Sequence, residues 1–325
     1  MKKLHELLGC KITKGPHVGI EIEAEGVNIQ CVDTAYWRSE DDQSLRGRFP
    51  DERHEFVSRV LKAHSISNAL DELIDKQKGA KFDFSFRTST HVHVNCTDME
   101  MSAVSAFVYL YYLLERDLMK YCGPSRNNNR FCLRMVDSEA QVDILKGIID
   151  NGFRDIRLFV DEGMRYAACN LAALLKYGTV EFRGMRGTMD KQVLMNWTGQ
   201  LLHLREQAIK YGSAFAVYEH AIRDSEGFLK ENYGEFFDVF HNEDSQRNLT
   251  EALSLTIQIP FSERDYRIRR EELDKLVNDA ADRIRGVKKG AAMFDDIQHD
   301  LPRGVRQFQF EPIQPANLED IPVNF

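Results

Sequence analysis

The stretch Val18-Gly19-Ile20-Glu21-Ile22-Glu23-Ala24-Glu25 alternates apolar and acidic residues at a period of two. That is the pattern of a β-strand with one buried face. The acids are the constraint. Glu21, Glu23 and Glu25 share a face, and carboxylates two apart on a strand sit about 7 Å from one another. They repel unless something positive lies between them. A divalent metal suits hard oxygen ligands of this kind, and the solvated face of an edge strand is the plainer alternative. What favours the metal is that polar groups recur on single faces of later strands.

Three further stretches carry that pattern. His54-Glu55-Phe56-Val57-Ser58 reads as a short strand with Glu55 and Val57 on one face. Ser89-Thr90-His91-Val92-His93-Val94-Asn95 sets His91, His93 and Asn95 against buried valines. Thr179-Val180-Glu181-Phe182-Arg183-Gly184 puts Glu181 and Arg183 together, with Arg186 three residues later. In one antiparallel sheet these faces converge. Such a set of carboxylates and imidazoles would hold two or more Mg²⁺ or Mn²⁺ ions, with neighbouring arginines gripping phosphate or carboxylate. This is the layout of metal-assisted phosphoryl transfer. Neither a GxxxxGK[ST] loop nor a GxGxxG fingerprint occurs in the chain, so the common phosphate-binding loops are absent.

The order E-x-E, E, H-x-H, E-x-R resembles the glutamine synthetase and glutamate–cysteine ligase superfamily. GIEIE, HEFVS, STHVHVN and GTVEFRGMRGT resemble its amidoligase branch, the carboxylate–amine ligases of phages and bacterial peptide-modification clusters, over roughly residues 17 to 200. The resemblance implies an ATP-dependent ligase that makes an acyl phosphate from a substrate carboxylate and then an amide from an amine. It implies Glu21 and Glu55 on the metal beside the acceptor carboxylate, and Glu23, His91 and Glu181 on the metal bridging the ATP phosphates. Arg183 and Arg186 would neutralise the transferred phosphoryl group, and His93 and Asn95 would line the nucleotide pocket. Glu55, Arg183 and Arg186 are the catalytic candidates, and Asn170 is a weaker substrate contact. One departure is Gln43 in Asp41-Asp42-Gln43-Ser44-Leu45, where the family has glycine in a D-G-S-L turn. The substrates implied are small-molecule, peptide or protein carboxylates and amines. Ring assembly in glutamine synthetase makes homo-oligomerisation worth testing.

The expected fold is α+β, a curved antiparallel sheet of the glutamine synthetase type with helices on its outer face. Residues 1–215 form the catalytic domain, and 216–325 a helical extension packed on it with a proline-containing tail (Pro302, Pro312, Pro315, Pro322). Gly26 offers a turn that makes Val27–Val32 a hairpin partner of the first strand. Trp37 to Arg53, with Arg38, Arg46, Arg48 and Arg53, reads as a polar loop. Thr97 or Asp98 caps a long apolar helix from Met101 to about Tyr121. Gly123 to Arg130 reads as a mobile basic surface loop. The basic loops Arg46–Arg53 and Arg126–Arg134 could recruit an acidic acceptor.

A net charge of −8 over 325 residues argues against general nucleic-acid binding. No apolar run of 18 residues suggests a membrane span. The six scattered cysteines, without CxxC spacing, suit reduced thiols in a cytoplasm. Cys96 follows the histidines but points to the opposite face from His93, which disfavours a Cys–His nucleophile. The basic stripe from Arg267 to Lys289 is interrupted by acids and reads as a solvated face. Two rival functions remain: a metal-dependent hydrolase using the same Glu/His cluster, and a non-catalytic binding or structural relative.

Overall fold

The acid-bearing strand lies at the centre of an antiparallel sheet in a computed structural model that describes residues 2–46, 52–160 and 162–295. The strands are β1 (His17–Val27), β2 (Trp37–Glu40), β3 (Arg53–Ser58), β4 (Leu61–Lys62), β5 (Lys81–Phe82), β6 (Ser89–Asn95), β7 (Cys169–Asn170) and β8 (Thr179–Arg186). They form an eight-stranded sheet of order β2-β3-β1-β6-β8-β7, with β4 and β5 also pairing to the ends of β1. The fold is therefore α+β.

Alternation sets the two faces. Ile20, Ile22, Ala24, Phe56, Val92, Val94 and Phe182 are buried on the face opposite the acids. Against that face packs α3 (Met101–Cys122), which follows α1 (Leu4–Leu8) and α2 (Ile66–Lys76). Phe182 meets Phe107 and Tyr111 of α3 at ring-centroid distances of 5.3 and 4.8 Å. Nineteen of the 22 residues of α3 are buried, the burial expected of a helix apolar on all sides. Then come α4 (Glu139–Asp150), α5 (Ala172–Tyr177), α6 (Lys191–Tyr211), α7 (Ala214–Arg223), α8 (Ser225–Tyr233), α9 (Phe237–Phe240), α10 (Ser245–Thr256) and α11 (Gln258–Asp295). The buried Asp117 of α3 ties in the later helices, accepting from Tyr233 Oη at 2.7 Å and Asn248 Nδ2 at 2.6 Å. The chain divides into one unit of Met1–Arg269 and a second that begins at Arg270.

Four local expectations are corrected. β1 runs through Gly26 without turning, and Val27–Val32 is not its hairpin partner, because β3 and β6 occupy its two edges. Gly26 is needed for close approach: a Cβ there would lie 2.1 Å from the Lys81 carbonyl of β5. Trp37 to Arg53 contains β2, and Trp37 is fully buried with its indole N–H donating to the Ala69 carbonyl at 2.6 Å; Arg48 lies outside the described residues. Glu100, not Thr97 or Asp98, occupies the N-cap of α3. Thr97 and Asp98 instead hold the chain before β1, through Thr97 Oγ1 to the Thr13 carbonyl (3.1 Å) and the Gly15 N–H to Asp98 (2.7 Å). Gly123–Arg130 is no free loop, for Arg126 is 1% exposed. The proline-containing tail from Asp300 lies outside the described residues.

Candidate functional site

Strand register decides which polar groups meet. Glu21 of β1 lies between Val57 of β3 and His91 of β6, and Glu23 stands opposite Glu55. His93 lies between Gly19 and Glu181, and Glu181 pairs onward with Asn170 of β7. Cross-strand neighbours on one face are close enough to share a ligand. Two trios of donor atoms result, each within 4.8 Å of one another: Glu21, Glu55 and His91, and Glu21, His93 and Glu181. Glu21 belongs to both.

Register also accounts for Arg186. Residues three apart on a regular strand face opposite ways. Between the pairs Val92–Phe182 and Thr90–Met185, however, β6 advances two residues and β8 three. The extra residue is a β-bulge at Arg183–Gly184. It returns Arg186 to the acidic face, opposite Ser89. The peptide carbonyls of the bulge are taken by Arg126, whose Nη2 donates to Arg183 O at 2.8 Å and Nε to Gly184 O at 3.1 Å. A Cβ at Gly184 would lie 2.5 Å from Met119 Sδ, so a larger residue there would force that side chain to shift.

The acids and imidazoles are strongly coupled. His91 Nδ1 lies 3.2 Å from Glu21 and 3.5 Å from Glu181, and His93 Nε2 lies 3.4 Å from Glu21. Burial opposes ionisation of Glu21, but hydrogen bonds from His91 and His93 hold its carboxyl well below the usual range. Glu181 is likewise drawn down against burial by Arg183, His91 and His93. Its Oε1 receives Arg183 Nη1 at 2.5 Å and its Oε2 receives Asn170 Nδ2 at 2.6 Å. Burial would lower His93, yet the Glu21 hydrogen bond and Glu181 raise it. Glu55 has no cation beside it in this set. Burial, reinforced by Glu21 and Glu23, pushes it up to about 8.

Glu23 is placed differently from Glu21. Its Oε2 accepts the Ser89 backbone N–H at 2.8 Å and the Ser89 hydroxyl at 2.6 Å. Ser89 Oγ also lies 2.7 Å from His91 Nε2. His91 Nε2 is therefore engaged by Ser89, and Nδ1 is the nitrogen that faces Glu21 and Glu181. Glu23 is outside both donor trios and orients His91 through Ser89. The alternation Ser89–His91–His93 is the one trace of this link in the sequence. His93 is held in the same way, its Nδ1 lying 3.0 Å from Thr179 Oγ1.

The remaining site candidates divide. Asn95 lines a cleft with Glu21 and His93, but its Nδ2 donates to the Thr13 and Gly15 carbonyls at 2.7 and 3.0 Å. Its Oδ1 accepts from Thr97 N and Oγ1, so the amide is spent on structure. Arg186 Nη1 donates to the Tyr121 carbonyl at 3.0 Å. Arg183 retains a buried Nε with no hydrogen-bond partner among the described residues. Asn170 orients Glu181 and, through Oδ1, accepts the Ala172 N–H at 2.9 Å at the start of α5. Gln43 leaves its turn intact: Ser44 N–H and Oγ–H donate to Asp42 at 2.8 and 2.9 Å. Gln43 has no positive φ, so glycine is not required there. Arg126 is a brace within the fold.

Strands β1, β3, β6 and β8 thus present carboxylates, imidazoles and an arginine on one face, a donor set of the kind that could hold a divalent cation. The family model described as "Putative amidoligase enzyme" matches residues 31–203, more than half of the chain, and the chain belongs to this amidoligase family. No curated protein matches the chain. Among the described residues no helix is long and apolar enough to cross a membrane.

Proposed function

We propose that the protein is an ATP- and Mg²⁺- or Mn²⁺-dependent carboxylate–amine ligase that activates a carboxylate as its acyl phosphate. The observation that carries this reading is Glu21 shared by two carboxylate–imidazole trios, with Arg183 at their edge. Family membership supplies the amide-forming chemistry.

The residues fit the cations on their own chemistry. Carboxylate oxygens with neutral imidazole nitrogens suit Mg²⁺ or Mn²⁺. Glu55, raised by burial and its acidic neighbours, and His93, raised by Glu21 and Glu181, both favour bound protons that a cation would replace. Glu21, Glu55 and His91 would hold one ion, and Glu21, His93 and Glu181 the other. Bound cations would neutralise the triphosphate and polarise the carboxylate.

The chain's own groups do the rest. A carboxylate oxygen bonds to the γ-phosphorus as the bond to the bridging oxygen of ADP breaks. The amine nitrogen then bonds to the acyl carbon, phosphate departs and the nitrogen loses a proton. Arg183 offers its unpartnered Nε–H to the transferred phosphoryl group, a charge-assisted bond of the strong kind. Arg186, the register partner of Ser89, would add a second positive charge only on releasing the Tyr121 carbonyl. Asn170 holds Glu181, and Ser89 holds His91.

A nucleotide-product assay tests the reading. ADP and phosphate should form only when a carboxylate and an amine are both present, and should vanish in Glu21→Gln and Glu181→Gln. Hydrolysis of an offered amide without ATP would favour the hydrolase, and ATP binding without product across an acceptor panel would favour a non-catalytic relative.

A further inference from the structure

The acidic face changes character along β1. Towards Glu25 its neighbours are Glu55, Glu40 and Arg53. Towards His17 they are Gly19 and, across on β3, Val57, an aliphatic side chain where the strand's polar face is otherwise charged. Here lies a cleft of about 270 Å³ walled by Val57, Val60, Tyr177 and Thr179, with Gly19 at its floor. Val60 is 72% exposed and Tyr177 54%. Aliphatic and aromatic groups left open to water around a concavity mark a surface built to be covered. The Tyr177 ring is set edge-on to His93 at 5.5 Å, which fixes this wall against the metal-binding candidates.

A second cleft of about 330 Å³ shares Glu21, His93 and Tyr177 with the first, but is lined by Arg165, Lys176 and Arg183. The two clefts therefore open from one set of donor groups and differ in chemistry. The basic cleft suits an anion. In the apolar cleft the one arginine, Arg38, pairs through Nη2 with Glu40 at 2.6 Å, and Glu21 lines the same cleft with His17 and His93, so an acidic side chain would meet carboxylates there as well as these bases.

We propose that the apolar cleft receives the aliphatic or aromatic side chain of an amino-acid or peptide substrate, rather than an acidic one. The assignment rests on the ligase reading only for which reaction that substrate enters. The volume supports it: about 270 Å³ is the space of roughly nine waters, room for one such side chain.

Calorimetry on the full chain tests it, with L-leucine, L-phenylalanine, L-glutamate and L-lysine as probes, each free and as the dipeptide with glycine. Leucine and phenylalanine should bind about tenfold or more tightly than the charged pair, the discrimination expected of an apolar pocket. Val60→Asp should weaken leucine binding about tenfold, and its exposure keeps the fold out of the result. Gly19→Val, whose Cβ position meets only His93 Cβ at 3.6 Å, should exclude phenylalanine before leucine. Equal or tighter binding of the charged probes, unchanged leucine affinity in Val60→Asp, or binding of none of the probes would overturn the assignment. ADP formation is read separately. Turnover with charged acceptors and no apolar preference would remove the cleft assignment and leave the ligase. Apolar binding without nucleotide turnover would do the reverse.

Discussion

Arg126 Nε donates to the Gly184 carbonyl at 3.1 Å, across a sequence separation of 58 residues. With Nη2 on the Arg183 carbonyl, this guanidinium takes the hydrogen bonds that a bulged strand cannot make to its neighbour. The bulge in turn places Arg183 and Arg186 on one face. Replacing Arg126 with methionine should therefore cost stability and catalysis together. Two buried bonds to a charged donor contribute about 3 kcal/mol, to be read by urea unfolding. In variants assayed well below their melting temperature, kcat should fall more than KM rises, because the arginines act on transferring charge. Arg126→Lys, which can reach one carbonyl, should recover part of both. An Arg126→Met variant with wild-type kcat would show that the bulge holds without its brace.

Ser89 links Glu23 to His91 by contacts of 2.6 and 2.7 Å. Ser89→Ala leaves the imidazole Nε2 without this partner and Glu23 without a side-chain donor. Loss of such a supporting partner weakens metal affinity about tenfold or more, whereas stability should fall only about 1 kcal/mol. Mn²⁺ titration followed by calorimetry or electron spin resonance checks it, with Ser89→Thr, which keeps a hydroxyl, as the rescue. Equal Mn²⁺ affinity in Ser89→Ala and the parent would mean that Nδ1 of His91 is not a ligand.

Glu115 gives the protein a pH-dependent stability unrelated to catalysis. It is fully buried in α3, accepts the Met135 N–H at 2.7 Å, and is pushed up to about 8 chiefly by burial. The sign follows from linkage. The native state holds the proton over a pH range where the unfolded chain, near 4.5, has lost it. Stability from this group is then complete below the unfolded value and declines as pH rises towards 8. Between pH 5 and pH 7 the decline is about 2 kcal/mol. Glu115→Gln cannot ionise, so the stability difference between it and the parent should shift in its favour by that amount over the same range. Denaturant unfolding at both pH values decides it, and a pH-independent difference would contradict the burial argument.

Much of the site is legible in the chain because period-two alternation is a local property. Glu21, Glu23, Glu55, His91, His93 and Glu181 all lie on the face that alternation assigns them. What alternation cannot give is register and rotamer. The sequence does not say that Glu23 opposes Glu55 and turns to Ser89, nor that His93 rather than His91 is the register partner of Glu181. The bulge escapes because it breaks the same periodicity that reveals the strand; the only trace is a glycine between two arginines three apart. Arg126 escapes for a different reason. G-P-S-R-N-N-N-R has the composition of a loop, and its hydrogen-bond acceptors are 57 and 58 residues away. Val27–Val32 shows the converse. Its residues favour a strand, but β3 and β6 already hold the edges of β1.

The central claim is that a substrate carboxylate attacks phosphorus, and isotope transfer tests it most directly. An acceptor labelled with ¹⁸O in its carboxylate, turned over with ATP, Mg²⁺ and an amine, is examined by mass spectrometry of the released phosphate. An acyl phosphate leaves one carboxylate oxygen on phosphorus, so the account predicts one ¹⁸O per inorganic phosphate, with ADP as the other product and no label transfer in Glu181→Gln. Label in AMP with pyrophosphate released, or amide formed with unlabelled phosphate, would contradict it.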